Sequence, residues 1–195
     1  EEDRYDVPSP EGIVSPNTSA FYGAARNWIA VTDRIEEHSL CLNFNADQVY
    51  AYLTLWEEET ARRGMQTVFV PVLLEAGAKW QTVYRMGAYR GLQRVDFASD
   101  EIAVELRREP GRLVALLSAA REIQDAEFHA RVVADNGRVW QLPAKKVTLS
   151  PNQGMRCTYD WTPIGDGRYE FLAQLRRSGE AIPLGADTRS PHGGV

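Results

Sequence analysis

The run AEFHARVVA, residues 126–134, is followed by Asp135-Asn136-Gly137, and its reading decides the fold. Ala126, Phe128, Ala130, Val132 and Ala134 fall on one side of an extended chain, while Glu127, His129 and Arg131 fall on the other. Successive side chains of a strand point to opposite faces, so a period of two means one buried face and one wet face. Asp-Asn-Gly ends the run with residues suited to a tight hairpin turn. A second run of the same kind follows Gly165-Asp166-Gly167, where Tyr169, Phe171, Ala173 and Leu175 alternate with Glu170, Gln174 and Arg176. Half-buried strands of this kind predict an all-β chain folded as an antiparallel β-sandwich.

The same reading extends over the whole block 100–186. Ile102, Val104 and Leu106 alternate with charges, and Pro110-Gly111 makes a turn. Residues 112–119 are apolar on both faces, as a central sandwich strand is. Strands at 138–142, 145–149, 155–161, 168–175 and 181–184 complete the block. Turn signals every eight to twelve residues favour a sandwich over alternating strands and helices.

Residues 25–99 form a first β block. It has strands at 28–31 and at 39–44, the latter with Leu40, Leu42 and Phe44 on one face. Residues 48–56 fit a helix capped by Asn45 or Asp47, and equally a strand; their Tyr, Thr, Val and Trp content favours the strand. Glu57 to Gly64 is then a polar excursion. Further strands are expected at 66–74, with Pro71 at an edge or bulge, at 79–86, with Trp80, Thr82 and Tyr84 on one side, and at 92–97. Residues 1–24, broken by Pro8, Pro10 and Pro16, read as an extended arm or linker, and 187–195 as a tail or linker. Such ends suit a piece of something longer.

Net charge is −5, and the basic residues occur only in short clusters such as Arg107-Arg108 and Lys145-Lys146. Nucleic-acid binding through phosphate neutralisation is therefore disfavoured. No apolar run approaches the ~20 residues of a membrane span. Cys41 and Cys157 are too few for a disulfide framework and read as buried free thiols. They leave the compartment open. Asn17-Thr18-Ser19 matches the glycosylation acceptor pattern, which has meaning only in a secreted eukaryotic protein.

The motifs GRLVALLSA (111–119), DAEFHARVVADNGRVW (125–140), KKVTLSPNQG (145–154) and DGRYEFLAQLRRSG (166–179) give the second block a family likeness. It resembles the immunoglobulin-like β-sandwich modules attached to large carbohydrate-active enzymes. Gly167-Arg168-Tyr169 is similar to the segment that carries a tyrosine in many such sandwiches. The first block, with WIAVTD (28–33), SLCLNF (39–44), LTLW (53–56) and LLEAGAKWQTVYRMGAYRGL (73–92), resembles part of a galactose-mutarotase-like supersandwich. The resemblance implies carbohydrate as a partner and neighbouring domains of the same parent chain as another. It transfers no catalytic residue, because no matching motif places the paired histidine and carboxylate of mutarotase chemistry.

A search for chemistry yields little. His38, His129 and His192 are far apart and lack ligand-type neighbours at motif spacing, so neither a metal site nor a cofactor is expected. There is no Gly-x-Ser-x-Gly elbow. Residues 87–91 lack the Lys-Ser/Thr ending of a phosphate loop. The acidic groups Glu36-Glu37, Glu57-Glu58-Glu59 and Asp100-Glu101 read as solvated turns, with Glu57, Glu58 and Glu59 beside Trp56 as the acids to test for glycoside hydrolysis. Asp135-Asn136-Gly137 reads as a hairpin turn ahead of a Ca²⁺ loop.

The aromatics carry the remaining signal. Flat indoles stack on the C–H faces of sugar rings, but tryptophan also fills cores and seams. Trp28 and Trp80 read as core residues, whereas Trp56, Trp140 and Trp161 are the candidate ligand-binding residues. Trp140 follows a turn and Trp161 precedes Thr162-Pro163, which puts both near a rim. The expectation is a noncatalytic module of a carbohydrate-active protein, serving domain packing or glycan binding. A freestanding adhesion protein and a small sugar epimerase or glycosidase remain open as alternatives.

Overall fold

A computed structural model describes residues 19–22, 27–57, 62–151, 153–162 and 168–182, with backbone alone for 19–22, 52–57 and 62–65. The strands of the first part are β1 (Ser19–Tyr22), β2 (Trp28–Asp33), β3 (His38–Asn43), β4 (Val49–Glu57), β5 (Arg62–Phe69), β6 (Arg85–Arg90) and β7 (Phe97–Ala98). Those of the second are β8 (Ile102–Glu109), β9 (Arg112–Ala119), β10 (Ile123–Ala134), β11 (Val139–Gln141), β12 (Lys145–Leu149), β13 (Met155–Asp160), β14 (Tyr169–Arg177) and β15 (Glu180–Ile182). Among the described residues they form four sheets, ordered β1-β4-β5, β2-β3-β6, β13-β9-β8-β7 and β11-β10-β14-β15, with β12 also paired to β10. Every strand pairing is antiparallel. The chain is all-β, as its alternation predicts.

The two runs that decide the fold are ladder partners. Phe128 lies opposite Leu175, Ala130 opposite Ala173, Val132 opposite Phe171 and Ala134 opposite Tyr169. Their apolar faces close onto Ile102, Val104, Leu106, Leu113, Ala115 and Leu117 of β8 and β9, making one buried core between two sheets. Phe128 and Leu117 are sealed from solvent. Burying such a side chain contributes about 1.5–3 kcal/mol. β9 is central, between β8 and β13, and its second face is buried too.

That second face meets the first part of the chain. Trp28, Ala30, Cys41 and Tyr89 of β2, β3 and β6 pack with Leu92, Val95 and Ala103 against Leu116. Tyr89 donates its hydroxyl to the Ser99 carbonyl at 2.6 Å, and the Arg90 N–H donates to Ser118 Oγ at 3.1 Å. Burial leaves Glu105 only 2% exposed; it accepts from the Gln93 N–H at 2.9 Å. Asp96 accepts from the Leu106 N–H at 2.6 Å. Buried polar groups need such partners, and these bonds hold residues 92–96 over the sheet.

The strand favoured at 48–56 is β4, Val49–Glu57; just ahead of it Asn45 Oδ1 accepts from the Asp47 N–H and caps a short 3₁₀ turn, Ala46–Gln48. Other expectations for the first block need correction. The strand expected at 66–74 is β5, which starts at Arg62, inside the expected excursion, and stops at Phe69, ahead of Pro71. The strand expected at 79–86 begins only at Arg85. Residues 70–84 instead make two arms around a turn closed by the Ala78 N–H on the Glu75 carbonyl. Residues 92–97 are irregular up to Phe97, because Gly91 turns at φ +78 and the N–H of Gln93 bonds a carboxylate rather than a ladder. Ser19–Tyr22, within the segment read as an arm, is β1 and pairs with β4.

Candidate functional site

Two turns and the start of β14 assemble the site at one end of the sandwich. In the hairpin between β10 and β11, Gly137 takes φ +82 and its N–H donates to the Ala134 carbonyl at 2.9 Å. Asn136 Oδ1 accepts from the Arg138 N–H at 3.0 Å. This is the hairpin turn that Asp-Asn-Gly chemistry demands, and it sets Trp140 opposite Val132. Just past β13, the Trp161 N–H donates to the Gly111 carbonyl at 2.9 Å, tying this tryptophan to the β8–β9 turn. Tyr169 opens β14 opposite Ala134, and the Asp135 N–H donates to the Arg168 carbonyl.

The three rings meet. Trp140 and Trp161 have centroids 5.4 Å apart with planes at 73°. Tyr169 lies 6.0 Å from Trp140 and 6.2 Å from Trp161. All three are half-buried and rest on the edge of the sandwich core. Edge-to-face pairs of this kind contribute about 0.5–1.5 kcal/mol beyond their buried area, so the cluster is also structural. Arg138 places its guanidinium 4.7 Å from the Trp140 centroid.

A second aromatic pair continues inward. Tyr159 and Phe171 have centroids 6.4 Å apart, and Lys145 Nζ sits 5.1 Å from the Tyr159 ring. Burial is the largest cause that pushes the Tyr159 hydroxyl above its ordinary range, with Cys157 adding to it. Cys157 is raised by burial and lowered in part by Lys145. Among the described residues, β13 and β11 end their sheets and β12 pairs only with β10. The ring contacts therefore line a seam where the edges of the two sheets meet, with a cation at Arg138 and another at Lys145.

The chain matches no family model, no curated protein and no solved structure. Geometry alone has to carry the reading of this seam.

The candidates named from sequence separate. Trp140 and Trp161 come together; the side chain of Trp56, and that of Glu57, lie outside the described residues, as do Glu58, Glu59, Asn17, Thr18 and His192. Trp28 is buried in the layer between sheets, while Trp80 packs edge-on against Phe69 at 5.0 Å and stays 36% exposed. His129 faces outward, 3.1 Å from Glu127. Cys41 and Cys157 are free and buried, and burial pushes the Cys41 thiol up to about 12, far from nucleophilic use at neutral pH. Among the described residues no group of three or more His, Cys, Asp or Glu side chains is placed to hold a metal. Asp100 pairs with Arg85 and Glu101 with Arg121, and Glu37 accepts from Gln93.

Tyr169, Tyr159, Arg138 and Lys145 were not singled out from sequence as site residues. A signal existed for three of them. Arg138 and Tyr159 each stand two residues before a candidate tryptophan in a strand, hence on its face. In the sequence Tyr169 follows Gly165-Asp166-Gly167 much as Trp140 follows Asp135-Asn136-Gly137. Lys145 carried no such mark, since only the fold brings β12 beside β13.

Proposed function

We propose that this chain is a noncatalytic, immunoglobulin-like β-sandwich module of a carbohydrate-active protein, and that it takes carbohydrate at the Trp140–Trp161–Tyr169 seam. The observation that carries the reading is the convergence of three half-buried aromatic rings, from β11, from the residue just past β13 and from β14, at one end of the sandwich. Sugar C–H faces pack on such rings without any reactive group. Arg138 and Lys145 beside them supply N–H donors for ring oxygens or for the carboxylate of a uronic acid.

Strand order supports the sandwich type. β8, β9 and β13 lie in one sheet and β10, β14 and β15 in the other, so the chain crosses between sheets after β9 and again around β13. Immunoglobulin-like sandwiches divide their strands in this Greek-key manner. Tyr169 at the start of β14 occupies the place where many of them carry a tyrosine.

The test is affinity electrophoresis and tryptophan fluorescence with neutral and uronic-acid polysaccharides. Retardation and a fluorescence change are expected on at least one polymer, with Trp140→Ala or Trp161→Ala weakening binding about tenfold or more. Binding only to the acidic polymers would give Arg138 and Lys145 the selective role. Absence of binding across the panel, or binding that survives both substitutions, overturns the proposal.

A further inference from the structure

The sheet β2-β3-β6 carries apolar residues on both faces. Its inner rows are buried against β8 and β9. Directly opposed residues share a face, so the ladder defines three outer rows: Ile29–Leu42–Met86 and Val31–Leu40–Ala88 are apolar, and Asp33–His38–Arg90, at the end of the sheet, is polar. Ile29 and Leu42 are covered by Phe44, Val49 and Phe69. Leu40, at 40%, and Met86, at 66%, remain exposed. An antiparallel sheet that faces water alternates polar residues onto the wet side, whereas two of the three rows on this outer face are apolar throughout.

The neighbouring arms enlarge the surface. Phe69 bridges to Trp80 and Tyr84 through ring contacts of 5.0 and 5.7 Å. From there the two arms expose Val70, Val72, Leu73, Leu74 and Val83, with Leu73 98% open to solvent. Both arms are rich in strand-forming residues, yet neither joins a ladder. Val70 N–H bonds the Gln48 carbonyl, and the Gln48 side chain reaches Gln81 and Thr82. β6, which adjoins them, is an edge strand among the described residues.

Area and charge point to the occupant. At about 150–200 Å² for a fully exposed large side chain, the fractional exposures of these seven side chains sum to roughly 600–800 Å² of apolar surface. The largest patch on an ordinary monomer is about 300–600 Å², and one partner of a standard interface contributes about 800 Å². Between residues 70 and 84 the only charged residues are Glu75 and Lys79, of opposite sign, and the polar row of the sheet adds Asp33 and Arg90, again of opposite sign. A patch that meets its own copy across a two-fold axis brings like groups together. A neutral patch tolerates that, even in a chain of net charge −5.

We infer that this surface is an isologous interface and that a second copy of this chain covers it. Sedimentation equilibrium of the full chain over a wide concentration range tests the inference. The expected result is a dimer in the micromolar range or tighter. Leu73→Asp and Met86→Glu each weaken it by about tenfold or more, while circular dichroism of the dilute protein is unchanged. Arg131→Glu, on the far side of the molecule, leaves the dimer intact. Should a charged variant fail to fold, Leu73→Ser supplies the same comparison. A chain that stays monomeric at tens of micromolar, or a dimer indifferent to both charged variants, overturns the inference and leaves the face to another domain or protein. Polysaccharide binding at the Trp140 seam is read separately and neither result depends on the other.

Discussion

The sheet β11-β10-β14-β15 and the sheet β2-β3-β6 lie against opposite faces of the same central sheet, and their outer faces differ. On the first, Glu127, His129, Arg131, Gln174 and Arg176 face away from the core. On the second, two of the three outward rows are apolar and only half covered. One sheet is finished by water. The other, together with the arms at 70–84, is composed for a partner. The same period of two governs both, so periodicity locates faces and says nothing of what each face meets.

The largest test of the contrast lies in the finished core. Phe128, fully buried between the sheets, should cost about 3–5 kcal/mol when replaced by alanine. Denaturant unfolding monitored by tryptophan fluorescence reads it, and a loss below about 1 kcal/mol would contradict the packing described.

Next comes the joint between β6 and the central sheet. A Cβ on Gly87 would stand 2.3 Å from the Tyr89 hydroxyl, which is held by the Ser99 carbonyl. Gly87→Ala should therefore displace Tyr89 and destabilise by about 1–3 kcal/mol. If Tyr89→Phe already removes the bond, the additional cost of Gly87→Ala should fall short of additivity, because both changes strike one contact.

Alkaline pH probes the buried thiols and phenols as a set. Burial raises Cys41 from 9.0 to about 12, and it raises Cys157, Tyr89 and Tyr159 in the same direction. A raised folded-state value means that the native state holds its proton more tightly than the unfolded chain. The stability gained is complete below the unfolded value near pH 9 and is lost as pH climbs toward the folded one. Each fully coupled group gives a slope of up to about 1.4 kcal/mol per pH unit. Unfolding free energy measured from pH 7 to 11 should decline above pH 9, and Cys41→Ala should flatten the decline; a flat profile in the parent chain would contradict it.

The smallest effect sharpens the comparison most. Leu40→Thr on the open outer face should change the stability of the dilute monomer by no more than about 0.5 kcal/mol. Leu117→Thr, one sheet away and sealed in the core, should cost several times that. Equal costs would mean that the outer face is covered within the monomer.

Much of the second block was legible in the sequence. The alternation at 126–134 and 169–175 named the faces, Asp135-Asn136-Gly137 named the turn, and the ladder Phe128–Leu175 pairs them as that pattern requires. The first block was less legible because apolar alternation at 66–74 and 79–86 reads as strand whether or not a ladder partner exists. Pro71 marked where β5 ends, yet nothing local marked that 79–84 would go unpaired. The site was half legible: Trp140 and Trp161 stood near turns, but their meeting with Tyr169 and Lys145 depends on which edges the two sheets bring together.

By itself the sequence determined the extended local conformation, the inward and outward faces of most strands, the chief hairpin turn and the inertness of two buried thiols. Those follow from side-chain alternation, turn stereochemistry and the cost of exposing apolar groups, all of which act within a few residues. Tertiary structure alone decided that one sheet would be shared as the centre of three layers, that Glu105 and Asp96 would be buried and each accept a backbone N–H, from Gln93 and Leu106, and that apolar rows of an outer sheet face would stay open. Those outcomes depend on contacts between residues distant along the chain, which no local period encodes.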